Sequence, residues 1–236
     1  MAHPSFCALS LVQQVPIGSE ESEFSYDDII MDFEAVGPFI KKDGLLLQYA
    51  YQNYDYDKMN IDQKKIVRAV VLSAVKNNGL ALQFAPPSLT DDYYVVMAAV
   101  NKNGLALQFA TKSLKKMNDV VMAAVQRDGL ALKYAYGNYD YDKLDYHYKD
   151  LVLRVVQAAV EENGLALQFA PPSLKQDTNV VLAAVKNNGL ALQFAHSSMK
   201  SNVAIAIFAV LKSKKAIEYV DESVKDIVEN QVKPYK

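Results

Sequence analysis

Apolar residues in this chain come in paired runs rather than in alternation. Residues 177–199 read DTNVVLAAVKNNG followed by LALQFAHSSM: an Ala- and Leu-rich run, a polar pair closed by glycine, then a shorter apolar run. Asn-Gly between apolar runs is a hairpin signal, and Val-Val pairs favour strands. Three features favour helices instead. The flanks do not alternate apolar with polar, and they are rich in good helix formers. Lys, Arg or Asn stand just before most of the glycines, where a cation suits the negative end of a helix. The pattern also recurs at Gly44, Gly79, Gly104, Gly129, Gly164 and Gly189, in steps of 35, 25, 25, 35 and 25 residues. In the 35-residue modules the first run lengthens to residues 62–78 and 145–163, with no breaker inside. Such lengths are unusual for strands and ordinary for helices. The pattern therefore predicts an all-α fold of tandem helical hairpins, an α-solenoid of 25- and 35-residue modules. Glycines three steps apart are 85 residues apart, which marks a duplicated block.

Local signals fill in each module. Asp92, Asn118 and Asp177 precede Val-Val pairs and are placed to cap the first helix, about 11 residues or ~16 Å long in a short module. The glycine is expected just past the helix end, in the left-handed conformation. LALQFA then forms a second helix of barely two turns, stopped in two modules by Pro86-Pro87 and Pro171-Pro172. Leu80 and Phe84, like Leu105 and Phe109, Leu165 and Phe169, and Leu190 and Phe194, lie four apart and are expected to face the core. Ala81, Ala106, Ala166 and Ala191 are small enough for close approach of neighbours. The terminal copies are degraded: Gly37-Pro38 replaces the apolar pair at one end, and 205–220 aligns as a seventh copy that has lost its glycine. The expected boundaries are an N-terminal extension over 1–25, a repeat array over 26–220 and a C-terminal capping segment over 221–236.

Composition narrows the class further. Apolar residues make up 51% of the chain, enough for a continuous core. A net charge of −2 gives no overall attraction to nucleic acid or anionic membrane. Cys7 stands alone, so no disulfide framework forms. The first 15 residues lack a basic stretch and a clear cleavage site, and no uncharged run is long enough to span a bilayer. A soluble protein is expected, cytoplasmic or delivered without a classical signal peptide.

The consensus VVLAAVKxNGLALQFAxxSLK resembles a bacterial helical-repeat family known only as domain of unknown function four-one-one-six. The resemblance rests on Val70-Val71, Val95-Val96, Val120-Val121, Val155-Val156 and Val180-Val181, together with the six glycine motifs, and spans roughly residues 35–220. It implies a helical array without assigned catalytic residues, of a kind found in candidate effectors that intracellular bacteria inject into host cells. The 35-residue modules depart from that pattern.

Those long modules carry near-copies of one insert, YQNYDYDK at 51–58 and YGNYDYDK at 136–143. Eight of the fifteen tyrosines lie within 51–56 or 136–148. Tyrosine offers stiff, amphipathic contact area and is enriched at interfaces, and solenoid insertions tend to emerge on a binding face. Tyr51, Tyr54, Asp55, Tyr56 and Asp57, with Tyr136, Tyr139, Asp140, Tyr141 and Asp142, are therefore the candidate partner-binding residues. The competing account is that these tyrosines only cover the longer helices. Asn53, Asp55 and Asp57, like Asn138, Asp140 and Asp142, also have the spacing of a calcium loop. Lys58 and Lys64, or Lys143 and Lys149, then occupy the places where such a loop needs Gly and Glu, so no metal is expected. Gln48, Gln83, Gln108, Gln168 and Gln193 recur at one module position as a weaker candidate, a polar ladder. It is too uniform for a nucleotide code, and basic residues form only local clusters. His3, His147 and His196 share no ligand spacing, and no nucleophile–base pair is apparent. No cofactor is expected. The sequence thus points to a non-catalytic protein-interaction scaffold. An enzyme with an unrecognised groove site and a structural module of a larger assembly are the alternatives.

Overall fold

A computed structural model of the chain describes residues 37–50, 55–136 and 140–233. The N-terminal extension, with His3 and Cys7, lies outside them. The described residues contain helices and no strand, as the repeat pattern predicts. Two compact units are formed, Met1–Lys102 and Asn103–Lys236.

In the first unit a helical turn over 37–42 leads into the Gly44 motif, followed by α1 (Ile61–Asn77), the Gly79 motif and α2 (Tyr93–Lys102). In the second unit the glycine motifs separate α3 (Asn118–Arg127), α4 (Tyr146–Glu162), α5 (Thr178–Asn187) and α6 (Val203–Lys212), and α7 (Glu222–Val232) closes the series. Within each unit, successive α-helices pack side by side and the glycine-motif helices pack on one another, giving two layers. The long-module helices α1 and α4 have 17 residues each, against 10 in α2, α3, α5 and α6.

The α-helices pack against neighbouring α-helices and on the glycine-motif layer beneath, and their pattern of buried residues shows this. Val120, Val121, Ala124 and Val125 are fully buried, and Val180, Val181, Ala184 and Val185 repeat the arrangement. Asp92 and Asp177 cap as expected. Asp92 Oδ1 accepts from the Tyr94 and Val95 amides, and Asp177 Oδ1 from those of Asn179 and Val180. Asn118 does not cap. Met117 holds the cap position, and Asn118 Oδ1 instead accepts the Tyr136 hydroxyl at 2.8 Å.

The second helix of each module differs from expectation in three respects. It is a six-residue 3₁₀ helix, as in Gly79–Phe84 and Gly164–Phe169. The preceding Asn or Asp sets that register. Asn163 Oδ1 accepts from the Leu165 amide, and the Asn163 carbonyl takes the Ala166 amide three residues on. Asp43 and Asp128 do the same work, so the residue before glycine caps the 3₁₀ helix, while Lys76, Lys102, Arg127 and Lys186 stand in the last α-helical turns where cations are expected. The buried pair is also Ala166 and Leu167, with Leu165 and Phe169 only half-buried. At three residues per turn, Gly164 and Leu167 share a face, and Leu165 and Phe169 do not. Finally, the prolines do more than stop this helix, because Pro87–Leu89 and Pro172–Gln176 form a further 3₁₀ turn.

The glycines do not adopt the left-handed conformation; the next module explains them. A Cβ on Gly164 would lie 2.3 Å from the Ala184 carbonyl oxygen, and one on Gly189 would lie 2.2 Å from that of Ala209. The motif backbone thus rests directly on the last turn of the following α-helix. Side chains reinforce the contact. The Gly44 amide donates to Asn77 Oδ1, that of Gly129 to Glu162 Oε2, and that of Gly164 to Asn187 Oδ1. In the last copy Lys214 occupies the glycine position, at the start of the Lys214–Tyr219 3₁₀ helix.

Candidate functional site

The two inserts differ from the rest of the repeat in how they are held. Tyr51, Tyr54 and Tyr139, with Asn53 and Asn138, lie outside the described residues. Asp55, Tyr56, Asp57, Tyr136, Asp140, Tyr141 and Asp142 lie within them.

In the first insert, Asp55 Oδ1 accepts the Asp57 amide and so caps a short 3₁₀ turn, Tyr56–Lys58. Lys64, on the first turn of α1, donates to the Asp57 carbonyl at 3.1 Å, and its Nζ stands 5.6 Å from the centroid of the Tyr56 ring. Ser88 Oγ donates to Asp57 Oδ1 at 3.2 Å, which ties the insert to the Pro-Pro-Ser corner at the far end of its own module. Arg68 on α1 spans to Asp92 with a two-point contact, Nε to Oδ2 at 2.6 Å and Nη2 to Oδ1 at 3.2 Å.

The second insert repeats most of this 85 residues later. Lys149 donates to the Asp142 carbonyl at 2.9 Å, and Ser173 Oγ donates to Asp142 Oδ1. Asp140 pairs with Lys143 at 2.9 Å rather than capping its turn. Tyr136 is tied backwards: its amide donates to the Lys115 carbonyl and its hydroxyl to Asn118. It takes φ 60°, a left-handed conformation that strains a tyrosine and is held by those two bonds. Between this insert and the Pro171-Pro172 corner lies a cavity of about 310 Å³, lined by Tyr136, Tyr141, Asp142, Leu144, Val156 and Phe169 among others.

Charge distinguishes the two copies. Burial raises the pKa of the Tyr56 hydroxyl, as does the Asp92 carboxylate, while Arg68 opposes them. The Tyr141 hydroxyl is also raised, first by burial and then by Asp142, Asp177 and Asp150, with no cation opposing. At Asp92, burial pushes the pKa up, but the Arg68 hydrogen bond and the Val95 and Tyr94 amides outweigh it and leave the group below its ordinary value. A lowered folded pKa contributes stability above the unfolded carboxyl value of about 3.9 and loses it as pH falls through the folded value. Asp92→Asn keeps a capping oxygen and removes the ion pair. Urea titrations at about pH 6 and about pH 2 should therefore show the intact protein losing roughly 1 kcal/mol more than the variant. Equal losses would remove the pair from the stability of the first unit.

The glutamine positions look inward to their own turns. Gln83, Gln108, Gln168 and Gln193 donate from Nε2 to the Leu carbonyl three residues back, at 3.0–3.1 Å. Gln48 is exposed on the Gly44 motif. Lys115 and Lys175 add a donor to the ends of these turns, on the Gln108 and Gln168 carbonyls. Sequence reasoning missed Lys64, Lys149, Ser88 and Ser173, although each pair recurs at the 85-residue period that defined the inserts. It missed the Arg68–Asp92 pair because only one copy has it. Among the described residues, no group of three His, Cys, Asp or Glu side chains is arranged to hold a metal, and no helix is long and apolar enough to cross a membrane.

Fold and inserts together define an all-α tandem-repeat protein with two tyrosine-bearing departures from its repeat. The family model for the domain of unknown function DUF4116 matches residues 68–115, 92–139, 148–200 and 179–225, well over half of the chain. The protein belongs to that family. No curated protein and no solved structure matches it.

Proposed function

We propose that the protein is a non-catalytic protein-binding scaffold whose contact sites are the tyrosine inserts of the two long modules. The observation that carries this reading is how the described ends of the inserts, 55–58 and 140–143, are held. In both copies a lysine holds the Asp carbonyl from one side and a serine holds its carboxylate from the other. Loops that are only tolerated insertions do not need such bracing, whereas a binding loop gains affinity from being ordered beforehand. The half-buried Tyr56 and Tyr141 also carry the stiff apolar area typical of interface anchors.

The test is affinity capture from host and bacterial lysates with the intact chain and with a variant carrying Ser at positions 54, 56, 139 and 141. The intact chain should retain a partner that the variant loses by at least about tenfold, matching ~1.4 kcal/mol or more of lost contact. Far-ultraviolet circular dichroism should show unchanged helix content. Equal capture by two folded proteins would overturn the assignment of the site.

A further inference from the structure

Among the described residues the buried hydrophobic core is built of Val, Leu, Ile, Ala and Met, with no aromatic ring. The cavity beside the second insert is different. Three aromatic side chains, Tyr136, Tyr141 and Phe169, share its lining with two carboxylates, Asp140 and Asp142. At about 310 Å³ it stands at the lower end of ligand-sized pockets, roughly 300–1,000 Å³. Its described lining contains no lysine or arginine. Outside the lining, Lys143 is engaged by Asp140 at 2.9 Å, and Lys149 by the Asp142 main-chain carbonyl at 2.9 Å. The Asp142 carboxylate itself accepts the neutral Ser173 hydroxyl. Burial, and then Asp142, Asp177 and Asp150, raise the Tyr141 hydroxyl with no cation opposing them, so the potential at this wall is negative. Tyr136 is fixed by its bonds to the Lys115 carbonyl and to Asn118, which hold it at φ 60°. Strain of that kind gathers at ligand sites.

We infer that this cavity binds a methylated ammonium group, a cation that presents an apolar surface. Aromatic rings attract such cations through their quadrupole, and cages of aromatic side chains take choline and methyl-lysine. An unmethylated ammonium is strongly hydrated and gains less from walls such as Phe169 and Leu144. A neutral group of the same shape gains nothing from Asp140 and Asp142, and an anion is repelled by them. The site is a property of the cavity and stands apart from the protein-binding role of the inserts. The methylated ammonium is carried either by a protein side chain or by a free small molecule, and the two sources call for different probes.

Leu144 offers a way to fill the site without unfolding it. Met59 holds the corresponding place 85 residues earlier and is buried, whereas Leu144 is half-buried on the cavity wall. Leu144→Met therefore extends an apolar chain into the cavity, and exchanges of Leu and Met cost little stability. Choline and N-acetyl-trimethyl-lysine amide are titrated into the full chain. Neohexyl alcohol is the neutral isostere of choline, and N-acetyl-lysine amide is the unmethylated control. The Ala135 and Ala170 amide resonances, both from the lining, report binding. Saturable shifts are expected with the quaternary probes, and both controls should bind at least about fivefold more weakly. Leu144→Met should weaken binding at least fivefold. Asp142→Asn, which keeps an oxygen for Ser173 and loses the charge, should weaken it at least threefold. Saturation by neither quaternary probe, equal binding of either control, or undiminished binding in either variant would each overturn the inference. Tighter binding of trimethyl-lysine assigns the cation to a protein side chain, and tighter binding of choline to a free molecule; both orders support the site.

Discussion

Gly164→Ala destabilises the second unit by about 3 kcal/mol or more, beyond ordinary overpacking, because nothing near the new methyl group can move aside. The added Cβ would lie 2.3 Å from the Ala184 carbonyl oxygen and 3.0 Å from the Asn188 amide nitrogen. Both belong to backbone. The Ala184 carbonyl accepts the Asn188 amide at the end of α5, and the Gly164 amide donates to Asn187 Oδ1. Relief therefore requires the Gly164 turn and α5 to separate, which breaks the Gly164–Asn187 bond and opens the packing around Leu167. Helix propensity acts in the other direction and is too small to compensate, at about 1 kcal/mol. Gly37→Ala is the matched control, since its Cβ would meet nothing within 4 Å. Urea unfolding followed by circular dichroism should show a large loss for the first variant and almost none for the second. A loss below about 1 kcal/mol at Gly164 would mean that the modules are not in the close contact described.

Leu167→Ala is the second large effect, with an expected loss of 2–5 kcal/mol on the scale of buried Leu-to-Ala changes. Leu167 has no exposed surface, and it projects between the two layers from a six-residue turn too short to shift as a body. Leu165→Ala, two residues earlier on the same turn, should cost about half as much or less, because its side chain is half-buried and water can enter the space. The comparison separates the 3₁₀ register from the α-helical spacing of Leu165 and Phe169, which would make Leu165 the costlier deletion. Thermal and urea unfolding of the two variants under identical conditions decide between them.

Much of this architecture is legible in the sequence because it is carried by spacing. The steps between glycines mark the modules, unbroken runs mark α1 and α4, and Asp92 and Asp177 announce their helices by standing one cap position ahead. The features that escaped are those whose cause lies in another module. Gly164 has no local reason to be glycine; the reason is Ala184, twenty residues on. Likewise LALQFA favours an α-helix by composition, and its 3₁₀ form is set by the Asn163 cap and by stacking on neighbouring turns. The inserts were found by their tyrosines. Their bracing by Lys64 and Ser88 was not, since those residues lie 7 and 31 positions from Asp57.

The replacement of glycine by Lys214 changes how the last module is closed. Each glycine is an open landing place, and any helix with a small residue at the right turn is able to settle on it. Lys214 presents a side chain there, so the helix after it, α7, cannot settle on this position in the same manner. A single substitution thus gives the last module a different seat, and α7 packs beside α6 without the close backbone approach that glycine permits.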